Sequence, residues 1–334
     1  MTDRSDRDIR LGIVGLGNWG GRLARTVAKV DGATLATCYA RTPERRAAFA
    51  GEHGCAAVDS FETFLADETI DGVLVATPHT THADIVTAIA AAGRNIMVEK
   101  PLALTVKDAK CCVDAARAGG VLLQVAHYRR LLTATRRIKA MLDAGELGRL
   151  HHIETNFSRP FGPDPNRPWR DEENEAPAGA MTALGVHMAD NLFYLGGPIR
   201  RLAALSTVLD PSTPLDDMTS VLVEFESGAH GVLNTSLRLP FVATTSAHGD
   251  KASAWSELDG ARFYAQKIDE EERHEVAVEP VDGVVANIAA FVDCVRSGRQ
   301  PETDGEVGLR VVAVLEAIQR SAASDGAFVE LETG

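Results

Sequence analysis

No apolar run in the 334-residue chain approaches the roughly 20 residues needed to cross a bilayer. The first residues, MTDRSDRDIR, lack the apolar core of a secretory signal, so a cytoplasmic location is expected. Excess positive charge is missing as well. The net charge of −13 repels phosphate backbones and anionic lipid heads, which argues against nucleic-acid and membrane partners. Cysteine is scarce. The five residues (Cys38, Cys55, Cys111, Cys112 and Cys294) are odd in number and none is spaced C-x-x-C. Neighbouring Cys111 and Cys112 are too close to bridge easily, so all five read as reduced thiols. Internal repeats and low-complexity tracts are also absent.

The length suggests two domains and, with 45% apolar and 24% charged residues, a sizeable core that needs no disulfide or metal to hold it. Short β-branched apolar runs at 9–14, 33–39, 72–77, 95–98 and 121–126 read as buried strands, with a weaker one near 55–58. Helical segments separate most of them, with none read between 58 and 72, and one is opened by Thr42-Pro43-Glu44 with Thr42 as cap. This alternation predicts a parallel, doubly wound α/β domain over residues 1–126. Beyond it, a helix over 131–144 and a strand over 149–158 precede a loop at 159–178 that carries five prolines. A helix over 179–195 follows, then seven strand-like segments between 199 and 278, then helices near 281–297 and 305–323. Consecutive strands predict a second, α+β domain over 127–334, built on an open, mostly antiparallel sheet. Too few helices exist there to cover both faces, so a homodimer or homotetramer is expected.

Gly15-Leu16-Gly17-Asn18-Trp19-Gly20 is G-x-G-x-x-G, directly after a strand and opening a helix. That context is a dinucleotide-binding, Rossmann-type signature. Gly15 permits the tight turn, Gly17 lets backbone approach a pyrophosphate, and Gly20 allows close helix packing. Asn18 and Trp19 belong to the same cofactor-binding turn. The second strand ends in Cys38-Tyr39-Ala40-Arg41-Thr42, with no carboxylate to bond a ribose 2′-hydroxyl. Tyr39, Arg41 and Thr42 are therefore placed at the cofactor's ribose end. Without that acid a 2′-phosphate is not repelled and Arg41 can pair with it, so NADP is favoured over NAD. The alternative is that Arg41, Arg45 and Arg46 form a solvated helix start.

The fifth strand ends in Val98-Glu99-Lys100-Pro101. Open α/β sheets bind ligands at the carboxyl ends of strands. Lys100 is thus either a proton-exchanging group beside a nicotinamide or a surface lysine paired with Glu99. Around it stand Ala76-Thr77-Pro78-His79 and His82. Further on come His127-Tyr128-Arg129-Arg130, Gly145-Glu146-Leu147-Gly148, Trp169-Arg170 and Gly185-Val186-His187-Met188-Ala189-Asp190. Together these motifs resemble the glucose–fructose oxidoreductase / inositol dehydrogenase / MocA family from residue 9 to about 197. His79 and His82 have no third ligand cluster, so no metal is expected.

The resemblance implies NAD(P)-dependent hydride transfer between the nicotinamide and a sugar or polyol carbon. It implies Lys100 and His187 as the catalytic residues. It places Thr77, Pro78, His79, His82, Glu99 and Lys100 with the cofactor. It places Lys100, His127, Arg129, Trp169, Arg170, His187 and Asp190 with the substrate. Asp190, three residues after His187, can orient it. One departure stands out. An aspartate that the family often carries four residues before the histidine is Ala183 here. Either Lys100 and His187 suffice, or a carboxylate from Asp164, Asp171, Glu172 or Glu173 joins them. The departure also leaves open a redox-assisted elimination or decarboxylation without net cofactor turnover, or a non-catalytic NAD(P)-binding regulator.

Overall fold

The computed structural model describes residues 7–161 and 172–331, which divide into two compact units. Among the described residues, one comprises 7–127 and 283–312, the other 128–161, 172–282 and 313–331. No described helix is long and apolar enough to cross a membrane.

The first unit is a six-stranded sheet in the order β3-β2-β1-β4-β5-β6, parallel throughout. Its strands are β1 (Ile9–Val14), β2 (Ala33–Tyr39), β3 (Ala56–Ala57), β4 (Gly72–Val75), β5 (Asn95–Val98) and β6 (Leu123–Val125). Strand order reverses between β1 and β4, so their carboxyl ends flank the crevice where such sheets bind ligands. All four residues of β4 are buried, as a strand covered on both faces requires. The crossover helices are α1 (Asn18–Val27), α2 (Pro43–His53), α3 (Phe61–Ala66), α4 (His82–Ala91) and α5 (Val106–Gly119). Val86 and Ile89 of α4 and Ala109, Cys112 and Val113 of α5 join Val73, Val75, Ile96 and Val98 in the core. Helix α8 (Gly283–Ser297) also belongs to this unit. Asn287 on α8 accepts from the buried Gln124 amide at 2.9 Å through its carbonyl. Helix α9 (Gly305–Ala322) begins here and ends in the second unit.

The second unit holds a nine-stranded sheet in the order β14-β13-β12-β11-β7-β10-β9-β8-β15. Its strands are β7 (Leu150–Ser158), β8 (Ile199–Thr207), β9 (Met218–Phe225), β10 (His230–Ser236), β11 (Val242–Gly249), β12 (Ala252–Glu257), β13 (Arg262–Lys267), β14 (His274–Val276) and β15 (Val329–Glu330). All neighbours are antiparallel except β7 and β10. One face packs on α6 (Thr133–Asp143) and α7 (Val186–Gly196). Strand β7 shows the two faces by alternation: Ile153, Thr155 and Phe157 are buried, whereas His152 and Asn156 are half-buried and Glu154 is exposed. The other face carries Leu205 and Leu222, 65% and 45% exposed.

The expected single helix over 179–195 is corrected. Residues Met181–Gly185 form a π-helical turn that runs into α7. Its entry is pinned, because the Ala180 N–H donates to the Asp216 carbonyl at 2.7 Å. Gly179, at φ +50°, passes so near that strand connection that a Cβ would sit 2.0 Å from the Asp216 oxygen. The wider turn absorbs one residue between this anchor and α7, a device found often at functional sites.

Candidate active site

The glycine turn after β1 fits a pyrophosphate. Gly15 has φ +96°, and a Cβ there would lie 2.5 Å from the Ala76 carbonyl carbon and oxygen. At Gly20 a Cβ would meet the Gly15 oxygen at 2.1 Å. Gly17, by contrast, faces open space with nothing within 4 Å of such an atom. It caps α1 without any side-chain bond, and no acid lies in the first turn. The α1 amides and helix dipole thus face open space that suits an anion. Asn18 is exposed beside Gly17, and the Trp19 ring lies under the Arg22 guanidinium at 4.7 Å.

At the end of β2, Tyr39 stacks on Phe61 with centroids 5.6 Å apart. Arg46 is buried rather than solvated. Its guanidinium donates to the Ala40 and Arg41 carbonyls at 2.9 and 3.3 Å and reaches Asp59. It holds the loop and leaves Arg41 as the presenting cation. Arg41 is exposed, with no side-chain partner among the described residues. Thr42 does occupy the N-cap position of α2, but its hydroxyl makes no cap bond. Cys38 beside them is a free, buried thiol, pushed up by its hydrogen bond to Cys55 and by burial.

Thr77 and Pro78 leave β4, and a short turn, His79–Thr81, leads into α4. The Thr81 hydroxyl donates to the Thr77 hydroxyl at 2.8 Å or the Pro78 carbonyl at 2.7 Å. His79 is half-buried, whereas His82 is fully buried. Glu99 is buried and Lys100 half-buried at the end of β5, where the Lys100–Pro101 peptide is cis. The first unit therefore gathers the glycine turn, Thr77, His79 and Lys100 at the carboxyl ends of β1, β4 and β5.

His127 closes this unit, buried. Arg129, in the second unit, is 3% exposed, lies over the Phe157 ring at 3.6 Å and pairs with Asp259. His187 stands on the first turn of α7, 4% exposed, with Tyr128 and Phe157 edge-on at 5.1 and 6.0 Å. Asp190 is fully buried, and the structure shows what it grips: both carboxylate oxygens accept from Arg130, one from Nε at 3.0 Å. The carboxylate expected to orient His187 instead forms a bidentate ion pair with Arg130, which joins α7 to the Tyr128–Leu131 turn. Arg130 and Tyr128 stood in a sequence motif but were given no role there, and Phe157 was not picked out. Trp169, Arg170, Asp164 and Asp171 lie outside the described residues. Glu172 and Glu173 are exposed, but Glu175, also missed, is 5% exposed and carries a carboxylate into the interior ahead of the π turn.

Residues 9–127 match the family described as "Oxidoreductase family, NAD-binding Rossmann fold", and residues 135–255 match the GFO/IDH/MocA C-terminal domain. The chain belongs to the GFO/IDH/MocA oxidoreductase family. Family members of similar length align end to end. A 1,5-anhydro-D-fructose reductase of Ensifer adhaerens is 29% identical over 338 residues, covering 96% of this chain and 100% of that protein. A D-xylose 1-dehydrogenase (NADP(+)) of Haloferax volcanii is 28% identical, covering 96% and 99%. The crystal structure of an oxidoreductase from Desulfitobacterium hafniense superposes with a TM-score of 0.91 at 29% identity, covering 97% and 98%. A levoglucosan dehydrogenase in complex with NADH and L-sorbose shares the fold, with a TM-score of 0.89 at 22% identity over 97% of this chain and 99% of that one. This chain is an NAD(P)-dependent oxidoreductase with a Rossmann domain and a family C-terminal domain.

Proposed function

We propose that the protein is a dehydrogenase or reductase of a sugar or polyol, with Lys100 and His187 as its proton-handling residues and NADP(H) as its preferred cofactor. The observation that carries this reading is Lys100 at the carboxyl end of β5, on the same sheet edge as a glycine turn shaped for a pyrophosphate. The names of the full-length relatives, a sugar reductase and a sugar dehydrogenase, support the substrate class.

When bound, the nicotinamide supplies the hydride acceptor or donor. The residues of this chain then have separate tasks. The α1 amides hold the pyrophosphate, and Arg41 pairs with the 2′-phosphate. Lys100 takes the hydroxyl proton from the substrate oxygen during oxidation and returns it during reduction. His187, its ring flanked edge-on by Tyr128 and Phe157, is the proton-handling residue of the second domain. Ala183 leaves the histidine without the acid that sugar dehydrogenases of the family often place there, so the two residues carry the proton between them. The exposed sheet face of Leu205 and Leu222 would bury against a second copy of the chain.

The test is a steady-state absorbance assay of the nicotinamide with 1,5-anhydro-D-fructose, D-xylose, levoglucosan and inositols, in both directions and with both cofactors. Turnover with at least one of them, faster with NADP(H), is expected. Absence of turnover with every sugar and polyol contradicts the reading.

A further inference from the structure

The sequence groups His82 with the cofactor residues, but its ring is fully buried and both nitrogens meet backbone. Nδ1 stands 2.9 Å from the Pro101 carbonyl oxygen, and Nε2 stands 3.1 Å from the Thr77 carbonyl oxygen. Carbonyl oxygens only accept. A neutral imidazole has one N–H, so its other nitrogen would turn a lone pair towards an oxygen. An imidazolium donates to both. The His79 ring lies edge-on at 5.7 Å, Asp84 is exposed on the same helix, and Glu99 and Lys100 precede Pro101 on the β5 exit.

The two carbonyls belong to different elements. Thr77 leaves β4 and Pro101 follows Lys100 out of β5. We propose that His82 is a positioning residue for Lys100: donating from both ring nitrogens, it ties the β4 exit to the β5 exit and fixes where the Lys100 amine stands. A proton-transfer group works only within hydrogen-bond reach of its partner, and a displacement of about 1 Å can cost on the order of 10²-fold in rate. The inference rests on the reading of Lys100 as the group that moves the proton.

The test has two arms. In the first, ring ¹⁵N NMR is recorded on the cofactor-loaded wild-type protein, with the His82 signals assigned by their loss in His82→Gln. Two protonated ring nitrogens are expected, and one unprotonated nitrogen would overturn the clamp. The second arm separates the two bonds. His82→Asn keeps a donor at the Nδ1 position, towards Pro101, and His82→Gln keeps one at the Nε2 position, towards Thr77. Turnover should fall about 10²-fold in His82→Gln and less in His82→Asn, with NADPH affinity unchanged in both. Equal turnover in wild type and His82→Gln would overturn the proposal, as would loss of turnover and NADPH affinity together with melting temperature. Normal turnover in Lys100→Ala would instead overturn the reading beneath it, while the NMR arm still decides whether the clamp exists.

Discussion

At the scale of single residues, Arg46 and Arg41 divide the labour at the end of β2, and the proposed preference for NADP(H) rests on Arg41. Arg46 is consumed by the loop carbonyls it holds, and Arg41 is left exposed at the tip of β2. Arg41→Ala should weaken NADPH binding by about tenfold or more, the worth of one charge-assisted bond, and leave NADH binding unchanged. Fluorescence titration of both cofactors checks this, and equal losses would remove the 2′-phosphate role. The glycine turn was legible because its spacing and context follow from backbone sterics alone. The fate of Asp190 was not. Spacing along α7 pointed to His187, three residues away, whereas its partner Arg130 lies 60 residues earlier and reaches it only through the tertiary fold.

At the scale of elements, the Asp190–Arg130 pair joins α7 to the turn that opens the second unit, and both side chains are buried. Removing one partner leaves an uncompensated buried charge. Asp190→Ala should therefore destabilise the protein by about 3–5 kcal/mol, read by denaturant unfolding. Asp190→Ala combined with Arg130→Met should recover much of that loss, since it removes both charges; a double variant no more stable than the single one would contradict the ion-pair account. Strands of four or more residues were readable from their apolar runs. Helix α3 was missed because it is only six residues long and announced mainly by the Ser60 cap, which accepts from the Thr63 N–H at 3.0 Å. Strand β15 has two residues, too short for any pattern. The π turn was invisible because nothing in the run Met181–Gly185 differs from ordinary helix. The anchor at Asp216 that sets it lies more than 30 residues downstream.

At the scale of the whole molecule, the sequence reading grouped both closing helices with the open sheet in a domain over 127–334, whereas residues 283–312 fall in the first unit. Residues 283–312 pack with the parallel sheet because the Gln124 amide and the Val125 backbone meet Asn287 and Thr303, contacts no local periodicity encodes. The open face of the nine-stranded sheet should be covered in solution. Light scattering should report a dimer or tetramer at micromolar concentration, and Leu222→Asp, placed on the exposed face, should shift it towards monomer; a wild-type monomer would contradict that assignment. The central claim is that Lys100 handles the proton of hydride transfer to or from a sugar. Its most direct test is single-turnover mixing of cofactor-saturated protein with the best sugar of the panel, following the nicotinamide absorbance in wild type and Lys100→Ala. The account predicts that Lys100→Ala slows the absorbance change by at least about 10²-fold at equal cofactor occupancy. An undiminished rate in Lys100→Ala would contradict it.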